Sequence, residues 1–166
     1  MSVLLVRPPK QIGSAVIDLL TSQGDVVRVI AADALSAARW KELGAYVAQG
    51  SEADADFVER AAQDVRTIVV FEDAQFSIET VLEGAELAGV ERLVICTPKP
   101  PEDLLARVRA SRMDYVLLRL GTQRLPGRRR RLRGTAEAID AADDLGGHPR
   151  LEIDVNDAES RRSLDL

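Results

Sequence analysis

Arg7 and Lys10 stand three residues apart, directly after the apolar run Val3 to Val6, and Gly13 follows three residues further on. If the run is a strand and the next segment a helix, both cations sit beside a helix start. Free N–H groups and the positive dipole end favour anions there. A guanidinium and an ammonium at that corner are suited to phosphate or carboxylate. A second basic group lies far along the chain, where Arg124, Arg128, Arg129, Arg130, Arg131 and Arg133 fall close together although the net charge is -5. The four consecutive arginines, Arg128 to Arg131, are candidate donors to an acidic partner protein or a phosphorylated small molecule; the plainer alternative is a solvated loop. General nucleic-acid binding is not expected, because the acidic remainder opposes long-range attraction.

Other reactive side chains have simpler readings. Cys96 is the one cysteine, which excludes an internal disulfide and fits a reducing cytoplasm. With only Lys99 nearby to lower its pKa, it reads as a small buried residue. His148 precedes Pro149 in a glycine-rich turn, and one histidine with one cysteine makes no Cys/His metal site. Tyr46 and Tyr115 fall inside predicted strands and read as core. The opening MSVLLVRPPK lacks the pattern of a secretory leader, and no run approaches the ~18 apolar residues of a bilayer span. The expectation is a cytoplasmic protein with no membrane role, no metal and no assigned catalytic residue.

These residues need a scaffold. Val3 to Val6 is a continuous β-branched and leucine run, as in a strand covered on both faces. From Gln11 to Gln23 the apolar positions Ile12, Ala15, Val16, Leu19 and Leu20 recur at helical spacing, and Gly24 stands at a left-handed cap position. The unit then repeats at a period of about 20 residues. Strands are expected at Val26 to Ile30, Tyr46 to Ala48, Thr67 to Val70, Arg92 to Ile95 and Tyr115 to Leu118. Between them, helical stripes run over Leu35 to Leu43, around Phe57, Val58 and Ala61, around Ile78 to Ala85, and around Leu104 to Val108. An arginine-rich loop over 122–134, a helix from Thr135 to Asp144 and a last strand at Leu151 to Val155 complete the order, with a frayed tail over 157–166. Strict alternation implies parallel strands, right-handed crossovers and helices on both faces. The fold class expected is α/β, a doubly wound parallel sheet of Rossmann-like, three-layer α/β/α form, in one domain over 1–156.

In such sheets ligands bind at the carboxyl ends of the strands. The first of these turns, Val6-Arg7-Pro8-Pro9-Lys10-Gln11-Ile12-Gly13, resembles that of the atypical short-chain dehydrogenase/reductase superfamily, of the NmrA-like or NAD(P)H-binding kind. Glu86-Leu-Ala-Gly-Val-Glu-Arg-Leu-Val and Asp114-Tyr-Val-Leu-Leu-Arg-Leu-Gly121 are similar to the family's fifth-strand and sixth-strand regions. The resemblance spans roughly positions 3 to 121. It implies glycines at 7, 10 and 13, of which only Gly13 is present. From their place at the carboxyl ends of the strands, Arg7, Lys10, Gln11, Ile12, Gly13, Asp33, Thr97 and Lys99 are the candidate cofactor-binding residues.

The departures change the expected chemistry. The first family glycine allows a tight bend and the second lets the backbone approach a pyrophosphate, which Arg7 and Lys10 do not supply. Pro8 and Pro9 lack N–H donors. Where NADP-preferring relatives carry an arginine after the second strand, this chain has Ala32 and Asp33; Asp33 reads as a helix cap, with a ribose contact as the alternative. Ser51 replaces the acidic residue expected behind Gly50. The Tyr and Lys pair of the classical enzymes is absent, and Thr97 reads as a capping hydroxyl. The expectation is therefore a non-catalytic binding or regulatory protein, a pseudoenzyme with a vestigial dinucleotide cleft and a basic rim over it. The alternatives are an NAD(P)-binding sensor or oxidoreductase, with NAD(P) binding weakened, and a structural subunit of an oligomer, with Trp40 either a contact or half-buried core.

Overall fold

Continuous apolar runs in the sequence become strands buried on both faces. The computed structural model describes residues 2–71, 77–120 and 128–164, of 128–131, 158 and 161 the backbone only. Strands β1 (Ser2–Val6), β2 (Val26–Ala31), β3 (Tyr46–Gln49), β4 (Thr67–Phe71), β5 (Arg92–Thr97), β6 (Asp114–Arg119) and β7 (Arg150–Asp154) form one sheet in the order β3-β2-β1-β4-β5-β6-β7. Every pairing is parallel, with Val3 beside both Val27 and Thr67. The order reverses between β1 and β4, so the turns after β1 and β2 open on one side of a switch point.

Helices α1 (Lys10–Ser22), α2 (Ala34–Glu42), α3 (Ala55–Ala61), α4 (Ile78–Leu87), α5 (Glu102–Ala110), α6 (Arg128–Asp144) and the short α7 (Ala158–Arg161) connect or follow the strands. Period-two alternation sorts the strand side chains into two cores. On one face Val3, Leu5, Val29, Val94 and Leu118 pack with α1, α2 and α6 through Ile12, Val16, Trp40 and Ile139. On the other, Leu4, Val6, Ile30, Ile95 and Leu117 pack with α3, α4 and α5 through Val58, Val81 and Leu105. The molecule is the expected three-layer doubly wound sheet. Gly24, just past the end of α1, has φ 91° as its cap role requires.

Three expectations need correction. The arginine-rich segment is not a loop up to residue 134: α6 begins at Arg128, because arginine is a good helix former and no proline falls between Arg128 and Asp144. Residues 121–127, with Arg124, lie outside the described residues. Tyr46 is not core: it is 69% exposed, at the first position of the edge strand β3. Residues 157–164 form helical turns instead of a frayed tail. Asp157 caps α7 by accepting from the Ser160 N–H, a 3-10 turn follows over Arg162–Leu164, and Leu164 is buried in the first core. Tyr115 is buried as expected.

Candidate functional site

The turn after β1 holds the sharpest departure from the sequence reading. Arg7 adopts φ 52°, the left-handed region that favours glycine and costs a side-chain-bearing residue roughly 1–2 kcal/mol. The tight bend expected to be lost with glycine is made by arginine instead. Its backbone N–H extends the β1–β2 ladder to the Ile30 carbonyl at 3.4 Å. Pro9 occupies the N-cap of α1 and supplies no side-chain cap.

Arg7 is held from the far side. Its Nη1 donates to Glu52 Oε1 at 3.0 Å, and the Glu52 side chain is only 7% exposed against 39% for Arg7. Glu52 lies in the turn after β3, so the pair reaches across the end of β2. Its neighbour Gly50 donates to the Ala31 carbonyl and lies against the Phe57 ring. Sequence reasoning stopped at Ser51; the signal was an acidic side chain displaced by a single residue.

Between the turns after β1 and β2 opens a cleft of about 360 Å³, lined by Arg7, Pro8, Lys10, Ile30, Ala31, Ala32, Asp33, Leu35, Ser36, Arg39 and Trp40. Lys10 is exposed at the first position of α1. Arg39 comes from α2, with its guanidinium carbon 5.8 Å from the centre of the Trp40 ring. Trp40 is 4% exposed, so it is core and cleft floor rather than the subunit contact considered from sequence. Its ring packs so tightly on Gly13 that a Cβ there would stand 2.8 Å from Trp40 Cη2 and 2.9 Å from Pro8 Cβ. Gly13 thus retains the close-packing role of a third glycine. Arg39 was missed because only its i, i+4 spacing to Leu35, which is 84% exposed, marks that helix face.

The remaining candidates divide. Asp33 is a helix cap: its Oδ1 accepts from the Ser36 N–H and its Oδ2 from the Ser36 hydroxyl, each at 2.8 Å. Those bonds hold its carboxyl below the ordinary aspartate range. Ile12 is buried in the core and Gln11 is exposed. Thr97 is fully buried and caps nothing; its hydroxyl has no partner among the described residues, and α5 is preceded by Pro101 instead. Lys99 is exposed at the same end of the sheet, but neither it nor Thr97 lines the cleft, because β1 and β4 separate β5 from β2. Cys96 is buried, and desolvation pushes its thiol far up, so it holds no thiolate. His148 Nδ1 lies 3.0 Å from Asp114 Oδ2 at the opposite end of the sheet. Among the described residues no acidic, histidine and cysteine group could hold a metal.

Solved structures share this architecture. An NADPH-dependent quinone oxidoreductase from Escherichia coli superposes with a TM-score of 0.73 at 17% identity over 90% of this chain. The two share the doubly wound, Rossmann-like α/β fold. The anaerobilin reductase of Escherichia coli O157:H7 aligns at 0.70 and 18% identity over 93% of this chain and 96% of its own. The triphenylmethane reductase of Citrobacter sp. aligns at 0.70 and 14% identity, over 92% of this chain and 68% of its own. The chain spans 66% of the quinone oxidoreductase's length. No family model and no curated protein matches the sequence. No helix among the described residues is long and apolar enough to cross a membrane.

Proposed function

We propose that the chain binds a phosphorylated nucleotide of the NAD(P) class in the cleft between the β1 and β2 turns. The observation that carries this reading is the composition of one wall set: Arg7, Lys10 and Arg39 supply cations, while Leu35 supplies exposed apolar surface in front of the buried Trp40 and Ile30. A molecule with a flat apolar ring and phosphate groups satisfies both. The switch-point position and the start of α1 favour the same ligand class. Support also comes from the neighbours, since the quinone oxidoreductase was solved with NADPH and the triphenylmethane reductase with NADP(H). With Asp33 engaged by Ser36, attraction for the ligand falls to the cations. Among the described residues the cleft wall holds no tyrosine, histidine or cysteine, and in this reading the protein works as a binding or regulatory module. The arginine-rich start of α6 is proposed as its contact with an acidic partner.

Trp40 is the chain's one tryptophan and lines the cleft, so its emission reports occupancy. Titration with NADPH, NADH, NADP and NAD should give saturable quenching by at least one of them. Absence of both quenching and calorimetric heat with all four would refute the proposal. A second reading, an NAD(P)H-dependent reductase, is favoured by the reductase neighbours. Sustained NADPH oxidation in the presence of a quinone would select it over the non-catalytic reading.

A further inference from the structure

We infer that Glu52 is a positioning residue that converts Arg7 from a mobile cation into a fixed anion-binding fork on the cleft wall. The inference rests on the reading of this cleft as the nucleotide site and names which residue receives the phosphate and what aims it. A carboxylate as buried as that of Glu52 is unfavourable unless paired. Here the pair is with Arg7, at 3.0 Å. Arg7 in turn stands at φ 52°, a conformation its own backbone disfavours and which persists only where surrounding contacts hold it. The ion pair to Glu52 is such a contact. It uses Nη1 and leaves the other guanidinium donors unspent by Glu52, on a side chain that lines the cleft and is 39% exposed. A guanidinium is planar, so fixing one edge on a carboxylate also fixes the direction of the other edge. Pre-orientation of this kind reduces the ordering cost of binding an anion. Lys10, a flexible ammonium at the first position of α1, has no such side-chain constraint among the described residues and would follow the ligand rather than aim it.

The positioning works through a hydrogen bond accepted by Glu52, not through its charge, and this separates it from simple electrostatics. Glutamine keeps a carbonyl acceptor at the same reach, whereas alanine removes it. The test measures inorganic pyrophosphate and NADPH binding by calorimetry for the wild type, Glu52→Gln, Glu52→Ala and Arg7→Lys, with thermal unfolding as a control. Glu52→Ala is expected to weaken pyrophosphate binding about tenfold, and Arg7→Lys, which keeps the charge but loses the fork, by a similar factor. Glu52→Gln is expected to stay within about threefold of wild type, or to bind more tightly because a nearby negative charge is gone. Glu52→Gln falling as far as Glu52→Ala, or Arg7→Lys matching the wild type, would overturn the inference. If Glu52→Ala does not fold, the Arg7→Lys and Glu52→Gln pair decides the matter alone. Pyrophosphate binding with this pattern in a protein that ignores NADPH would uphold the fork while removing the NAD(P) reading; wild-type protein that binds neither removes both.

Discussion

At the scale of single residues, two positions in the first turn show opposite solutions to one steric problem. Arg7 takes a glycine-like conformation and is held there from outside, whereas at position 13 a true glycine is needed because Trp40 and Pro8 leave no room for a Cβ. In an isolated helix, glycine to alanine gains up to about 1 kcal/mol. Here the new methyl must displace a buried indole and a rigid ring, and overpacking of that kind costs about 1–3 kcal/mol. The packing cost wins. Gly13→Ala is expected to lower stability by about 1–2 kcal/mol in urea unfolding and to shift Trp40 emission; a stabilised variant would show that the contact yields freely. Asp33 gives the complementary lesson: an aspartate just after β2 suggests a ribose contact, but its local bonds to Ser36 claim both carboxylate oxygens.

At the scale of elements, α6 is the helix whose placement was hardest to foresee. A helix from Thr135 to Asp144 was legible and Ala136, Ile139 and Ala142 are buried on it, but what holds its end comes from residues 50 or more positions earlier. Arg92, which is 6% exposed at the start of β5, donates to the carbonyls of Ala142, at 3.0 Å, of Asp143 and of Leu145, at 2.6 Å. Arg66 joins it, pairing with Asp143 at 3.2 Å. Two guanidiniums thus satisfy the last carbonyls of α6 and complement the negative end of its dipole. Desolvation is the main cause that lowers the Arg92 pKa, but it remains a cation. Replacing it by leucine would remove the donors of the Ala142 and Leu145 carbonyls and leave Asp143 to Arg66 alone, and Arg92→Leu is expected to cost about 2–4 kcal/mol. Denaturant melts should show the loss, with hydrogen exchange rising first at the C-terminal turn of α6. Exchange that rises uniformly would argue against the anchoring role.

At the scale of the whole molecule, the parallel order decides which turns meet. Arg7 follows β1, Arg39 follows β2 and Glu52 follows β3; these strands are neighbours, so three distant stretches of chain converge on one edge of the cleft. Lys99 follows β5 on the other side of β4 and does not line this cleft. The closing segment also belongs to the global structure. Leu164 is 3% exposed and packs in the same core as Ile153, Val116 and Ile139. Leu164→Ala should therefore cost about 2 kcal/mol, the low end for a buried leucine near the periphery of a core. An unfolding midpoint unchanged from wild type would mean that the final turn contributes no core.

The alternation of apolar strands and striped helices determined the parallel α/β architecture from residues alone, because each element's face pattern is a local property. The sequence alone also excluded a disulfide and a Cys/His metal site, through composition. What only tertiary structure decided were contacts between turns that no local pattern links. Arginine in a left-handed turn is sterically improbable until a buried Glu52 from another crossover holds it, and Arg39 becomes a cleft residue only once α2 lies on the sheet. Local periodicity records which face is buried; it carries no information about which loop a long side chain will meet.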